Sequence, residues 1–482
     1  METAGARIIQ HPASIQNQDA VSSGEPADRA EPDLAANPPE ALPEAATQST
    51  DGAARSDFLT ALAKLGISEE RLRAERTRLL GEISALRCEN RWEDIVALCH
   101  PLAEKAPELD AVGLGGSLRA EAAFALGHLG RYDEALDLYR RCVEEQPDHF
   151  HYHAGLAYTA YDSLYAAKGR QLMLHPAERK ARIELAHRHF AAAQALRPQQ
   201  VTNYYRQGML FKKLQGKSEE ALPFFETAIR NWRAYSPEQQ KARHQERKNY
   251  VKALYQAASC LLEARRPAQA LETLLQCLQE DEESQHFSAV HKYFALGKVH
   301  FEMGQLSLAL RALEFAASRA NPEDDDFVFE LLARLHLVEG TVEKAWEAVN
   351  RVPFKRRRPY LRWTEADVLI ARGEWDRARK VLMEAAERDR RGRHKALLRL
   401  ARLEFRQDRF ERCFQCALEA DRFFRSQFQN PCGDALFWQA AALLRLGRTA
   451  EAQLRAGELG DCLPHYPHLA KLRRLIQEAG EQ

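Results

Sequence analysis

YFALGKVHFEMGQLSLALRALEFAASRANP, residues Tyr293 to Pro322, reads as two amphipathic helices around one tight turn. Leu296 and Gly297 lie in the first helix, Gly304 in the turn, Ala309 and Ala316 in the second helix, and Pro322 beyond its end. Antiparallel helices approach closely only where small side chains face each other at the crossing, so Gly297 and Ala309 mark that contact. Leu296, Leu310 and Leu313 fill the layer around it. Pro322 lacks an N–H and disfavours helix before it, which ends the second helix and opens the next unit.

The same small residue recurs along the chain. Ala135, Ala221, Ala270, Ala309, Ala345, Ala378 and Ala452 each open an amphipathic helix just after a short polar turn. With Ala186 and Cys413 filling the two longer gaps, recurrence at a spacing of roughly 33 to 51 residues, each unit reading as a helix pair, is the mark of a helical solenoid.

The unit at Tyr293 resembles the tetratricopeptide repeat, through Tyr293, Leu296-Gly297, His300, Ala309, Leu313, Ala316 and Asn321-Pro322. GRYDEALDLYRRCVEEQPDH repeats the pattern with Gly130, Tyr132, Ala135, Tyr139, Cys142 and Pro147, and a third copy has Gly155, Tyr158, Ala186, Phe190, Ala193 and Pro198. The resemblance implies an all-α, right-handed superhelix of about ten helix pairs, a solenoid spanning residues 56–482 behind a disordered tail at 1–55. Its clearest repeats are expected at 117–147, 148–198, 201–234, 248–282 and 290–322, with degenerate ones at 326–352, 359–390, 394–428 and 433–464.

Residues 1–55 are rich in Pro, Ala, Ser, Gln and Glu and poor in large apolar residues, so they cannot offset the entropy of ordering. A helix is expected to begin near Ser56-Asp57. Two breaks in the spacing stand out: DSLYAAKGRQLMLHPAERKARIE between Tyr158 and Ala186, and NWRAYSPEQQKARHQERKNY between Ala228 and Ala258. Insertions in solenoids lengthen helices or project from one face, where partners are often gripped.

Composition agrees with a chain that buries an apolar core: 45% hydrophobic, 29% charged, formal net charge zero. The N-terminus has no charged leader before an apolar run, and no 18-residue apolar stretch occurs, so neither a cleaved signal nor a membrane span is expected. Nine cysteines without regular spacing point to reduced thiols and a cytoplasmic setting.

In the resembling family, partners lie along the face that successive first helices present. Carried onto this chain, that face holds Tyr152 and His153, then Tyr205, Arg206 and Lys212, then Lys252 and Tyr255, then Phe294 and Lys298. Cations interleaved with rings suit a peptide carrying carboxylates between apolar anchors. The Lys and Asn set that holds a C-terminal carboxylate in related repeats is absent in register.

Loop charges alternate in blocks. Glu280 to Glu283 and Glu323 to Asp326 are acidic; Lys355, Arg356, Arg357 and Arg358, then Arg390, Arg391 and Arg393, are basic. Stacked on one edge, they would make an acidic half beside a basic half. The basic half could meet nucleic acid, an acidic partner or the acidic tail of the same molecule, and the charged edges could pair head to tail with a second copy.

Signals for catalysis are absent. Cys413-x-x-Cys416 puts Cys413 in an alanine slot with no second pair, and His149, His151 and His153 lack a third ligand on one face, so neither redox nor metal chemistry is expected. The expectation is a scaffold, adaptor or regulatory subunit without cofactor or enzymatic activity, binding proteins or peptides. The alternative is a regulator contacting nucleic acid through 355–358 and 388–395.

Overall fold

The computed structural model describes residue 66 and residues 68–282 and 285–480; the expected tail at 1–55 and the helix near Ser56 lie outside the described residues. Those residues divide into two compact units, one ending at Phe287 and the other beginning at Ser288. Each is all helix, with no strand among the described residues.

The N-terminal unit runs α1 (Glu69–Cys88), α2 (Trp92–Cys99), α3 (Leu102–Lys105), α4 (Pro107–Ala111), α5 (Gly116–His128), α6 (Tyr132–Glu145), α7 (Phe150–Lys168), α8 (Pro176–Leu196), α9 (Thr202–Met209), a π-helical segment (Leu210–Gln215), α10 (Ser218–Ala234), α11 (Pro237–Ala242), α12 (His244–Glu263) and α13 (Pro267–Glu280). The C-terminal unit runs α14 (Ala289–Glu302), α15 (Leu306–Arg319), α16 (Asp326–Val338), α17 (Val342–Arg351), α18 (Pro359–Ala371), α19 (Trp375–Arg388), α20 (Arg393–Arg406), α21 (Phe410–Phe428), α22 (Gly433–Arg445), α23 (Thr449–Cys462) and α24 (Leu469–Gly480). Consecutive helices pack as antiparallel pairs, five in each unit.

One turn is built ten times. Between the helices of each pair stands a residue of positive φ: Asn90, Gly130, Arg170, Gly216 and Arg265 in the N-terminal unit, and Gly304, Gly340, Gly373, Asp408 and Gly447 in the C-terminal unit. The next residue returns its N–H to the carbonyl five positions back, as Arg131 does to Leu126 at 2.9 Å and Gln305 to His300 at 2.9 Å. This closes the orphan carbonyls of the first helix and reverses the chain within a few residues. The fourth turn differs: Lys217 reaches Phe211, six back, because the π-helical segment has inserted an extra residue.

The recurring alanines are where the helices cross. Ala135, Ala221, Ala270, Ala309, Ala345, Ala378 and Ala452 are all fully buried. At the best-defined crossing, a Cβ on Gly297 would stand 2.6 Å from Leu313 Cγ and 3.4 Å from the Ala309 carbonyl. Gly208 and Gly155 are closed off in the same way by Phe225 and Tyr139. Leu313 is fully buried and Leu310 packs partly against the same core, whereas Leu296 is only half-buried.

Cysteines take other small slots. Cys142, Cys277 and Cys413 are fully buried, each Sγ within 3.6 to 3.9 Å of a carbonyl on the neighbouring first helix. All nine cysteines are free. Burial pushes the Cys142 and Cys416 thiols up to about 11, away from the thiolate that redox or nucleophilic work requires. No group of His, Cys, Asp and Glu that could hold a metal ion occurs among the described residues, and no described helix is long and apolar enough to cross a membrane.

Both spacing breaks become helix. The first lengthens α7 to 19 residues and α8 to 21. The second extends α10, inserts the short α11 and starts α12 early, at His244.

Candidate functional site

A pocket of about 110 Å³ lies within the N-terminal unit, where the first helices of four successive pairs converge. α5 contributes Glu121 and Phe124, and α7 contributes Phe150, His151, Ala154 and Tyr158. α9 adds Thr202, Asn203 and Arg206, and the start of α12 with its preceding turn adds Arg243 and Glu246. Arg197 and Gln200, from the loop leaving α8, complete it. Arg243 and Glu246 come from the second spacing break, so the insertion supplies one wall.

The pocket mixes rings with charges in a defined arrangement. Arg206 lays its guanidinium over the Tyr158 ring, 3.8 Å from the centroid, and Arg197 lies over Phe150 at 4.3 Å. Stacking on a ring face holds a guanidinium while leaving its edge donors directed elsewhere. Both lining carboxylates are committed to the protein. Glu121 pairs with Arg87, and Glu246 accepts from the Val201 N–H at 3.0 Å and the Tyr235 hydroxyl at 3.3 Å, with Arg243 at 3.7 Å. Burial, then the Arg197 charge, brings His151 down to about 4, so its ring is neutral at physiological pH.

Three lining residues carry buried polar atoms without a protein partner: His151 Nε2, Gln200 Oε1 and Asn203 Nδ2. Buried polar groups are nearly always paired, so three orphans facing one pocket are groups a ligand could satisfy.

Of the residues read from sequence as the partner face, Arg206 alone lines this pocket. Tyr152, His153, Tyr205, Lys212 and Tyr255 are buried between helices, and Lys252 is half-buried. Tyr152 stacks on His149 at 3.8 Å, and Tyr255 on Phe287 at 4.2 Å. His153 donates to the Pro147 carbonyl from Nε2 at 2.6 Å and meets His189 Nδ1 at 2.8 Å, while Lys212 donates to Gln256 at 2.9 Å. In the C-terminal unit Phe294 is buried edge-on against Phe327, and Lys298 is half-buried. Sequence reasoning did not single out Glu121, Phe124, Asn203, Arg243 or Glu246 for the site. For Arg243 and Glu246 the signal was the unusual junction after Ala228, whose residues fold back over α9; Glu121, Phe124 and Asn203 carried none.

Loop charges in the C-terminal unit are largely spent on one another. Arg356 pairs with Glu323 at 3.2 Å, and Arg358 with Asp326 at 3.3 Å and the Asp324 carbonyl at 3.2 Å. Arg357 turns inward to Glu365 at 2.8 Å, and Arg393 pairs with Glu419. Lys355, Arg390 and Arg391 are exposed, with no side-chain partner among the described residues. In the N-terminal unit the acidic stretch is likewise structural: the fully buried Asp281 accepts from the His286 and Phe287 N–H groups at 2.6 and 2.8 Å. Glu283 lies outside the described residues.

Comparison with known proteins bears on the repeat alone. Models described as tetratricopeptide repeat match residues 118–149, 252–284, 294–360 and 364–412. No curated protein matches the chain. Similar solved structures include the apo form of RapI, at 11% identity over 84% of this chain and 97% of that one, TM-score 0.47. Yeast Tom70 is similar at 12% identity over 85% and 96%, TM-score 0.40. A tetratricopeptide repeat protein from Parabacteroides merdae is similar at 15% over 56% and 91%, TM-score 0.40. Similarity at this level speaks to neither ligand nor partner. The repeat-model matches, together with helix pairs that repeat one turn and, in nine of the ten, a buried alanine or cysteine at the crossing, make the chain a tetratricopeptide-repeat protein.

Proposed function

We propose that this protein is a non-catalytic scaffold or adaptor that binds a peptide segment of a partner protein on the first-helix face of its N-terminal unit. The observation that carries this reading is the pocket in which α5, α7, α9 and α12 bring together Phe124, Tyr158, Asn203, Arg206 and Glu246. Helices fixed by tertiary packing present their contacts without further ordering, so a few ring and guanidinium anchors supply most of the affinity. Every thiol with a resolved shift is pushed towards its protonated form by burial, which favours packing over chemistry at the cysteines.

The test fills the pocket. Ala154→Trp places an indole among the lining residues, on a half-buried position of α7. Full-length wild type and variant, matched for helical signal and melting temperature, are used to capture partners from native extract. Loss of a wild-type partner by the variant is the expected outcome. Equal capture by both proteins would sink the assignment of this face.

A further inference from the structure

We infer that the pocket is a receptor for one acidic side chain of the bound peptide, its carboxylate seated between Arg206 and Asn203; this rests on the peptide-binding reading above. Arg206 is only 7% exposed, and no hydrogen bond or ion pair to its guanidinium occurs among the described residues. A buried guanidinium carries five donors and a fixed charge, and stacking on Tyr158 satisfies neither its donors nor its need for an anion. The protein offers it none, because Glu121 is taken by Arg87 and Glu246 by Val201, Tyr235 and Arg243.

Asn203 stands three residues before Arg206 on α9, so the two share a helix face. It is 1% exposed, and its Nδ2 has no partner. One planar acceptor group entering here would take hydrogen bonds from both residues, the geometry for which a carboxylate is suited. A volume of about 110 Å³ admits a carboxymethyl or carboxyethyl group. Phe124 and Phe150 line the pocket beside its methylenes, and the orphan Gln200 Oε1 can accept the N–H of the bound residue. Charge separates an acid from its amide: with both lining carboxylates neutralised from the protein side, Arg206 leaves the pocket cationic. No lysine lines it, which distinguishes it from a site for a chain terminus built on lysines.

The experiment uses the full chain, immobilised, and degenerate peptide libraries with amidated C-termini and one fixed central residue: Glu, Asp, Gln, Leu or Lys. A further library has a free C-terminus and no acidic residue. The Glu or Asp library is expected to be retained on the order of tenfold more than the isosteric Gln library, as for hydrogen bonds to a charged group. Arg206→Met should erase that preference while Leu-library retention persists, and Asn203→Asp should invert it through repulsion. Equal retention of the Glu and Gln libraries, or retention of the free-terminus library in preference to Glu, overturns the inference and leaves peptide binding standing. Retention of no library by the wild type overturns both. Should Arg206→Met fail to fold, Asn203→Asp decides alone: an unchanged preference for Glu is then the overturning result.

Discussion

At the scale of single residues, two kinds of buried side chain carry opposite messages. Gly297 is a packing device: Gly297→Ala drives a Cβ into Leu313 and should lower stability by about 1 to 3 kcal/mol, read as a shift of the denaturant midpoint. His128 is a liability that titrates. It stacks on Trp92 at 3.9 Å, both ring nitrogens lack a partner, and burial, then the Arg87 charge, brings it down to about 4 from an unfolded value near 6.5. His151 and His189 are likewise brought down to about 4 by burial. Because the folded values lie below the unfolded one, this stability is complete above about pH 6.5 and is lost as pH falls towards 4. His128→Phe keeps the ring stack and removes one titration, so its melting temperature should fall less than that of wild type between pH 7 and pH 5. An identical fall in both proteins would show that His128 does not couple folding to protons. The alanine and glycine positions were legible in the sequence because one helix pair repeats its own spacing. The orphan atoms of His151, Gln200 and Asn203 were not, since their isolation depends on which other helices leave them unpaired.

At the scale of elements, the repeated turn is the most regular feature of the chain. Glycine holds the left-handed position in six of the ten turns, while Arg170, Arg265, Asn90 and Asp408 occupy it in the others. A non-glycine residue pays roughly 1 to 2 kcal/mol there, partly offset by the extra freedom glycine has in the unfolded chain. Arg265→Gly and Asp408→Gly should therefore each stabilise by up to about 1 kcal/mol, and Gly304→Ala should destabilise by a similar amount, checked by thermal melts. An unstable Asp408→Gly would mean that its turn is held by side-chain contacts instead. The partner face was harder to read for an equally local reason. Successive helical residues are rotated by about 100°, so a slip of one residue exchanges Tyr205, buried against Phe225, for Arg206, which lines the pocket. The π-helical segment after Met209 and the 19-residue α7 both break the spacing that a repeat pattern assumes. The seven alanines carry no information about either.

At the scale of the whole molecule, a formal net charge of zero accompanies extensive internal pairing. The loops at 323–326 and 355–358 neutralise each other, which leaves Lys355, Arg390 and Arg391 as isolated exposed cations. A DNA duplex bound at low salt should accordingly be released by physiological salt, and retention there with a steep salt slope would revive the nucleic-acid alternative. Family membership accounts for the architecture, and the proposed docking place is the convergence of four first helices in the N-terminal unit. The most direct measurement of that claim is site-specific photo-crosslinking in the native cell, with the photoreactive residue placed either at Ala154 in the pocket or at the exposed Lys180 on α8. Adducts with a partner protein from Ala154 and none from Lys180 are expected; adducts from Lys180 alone would contradict the account.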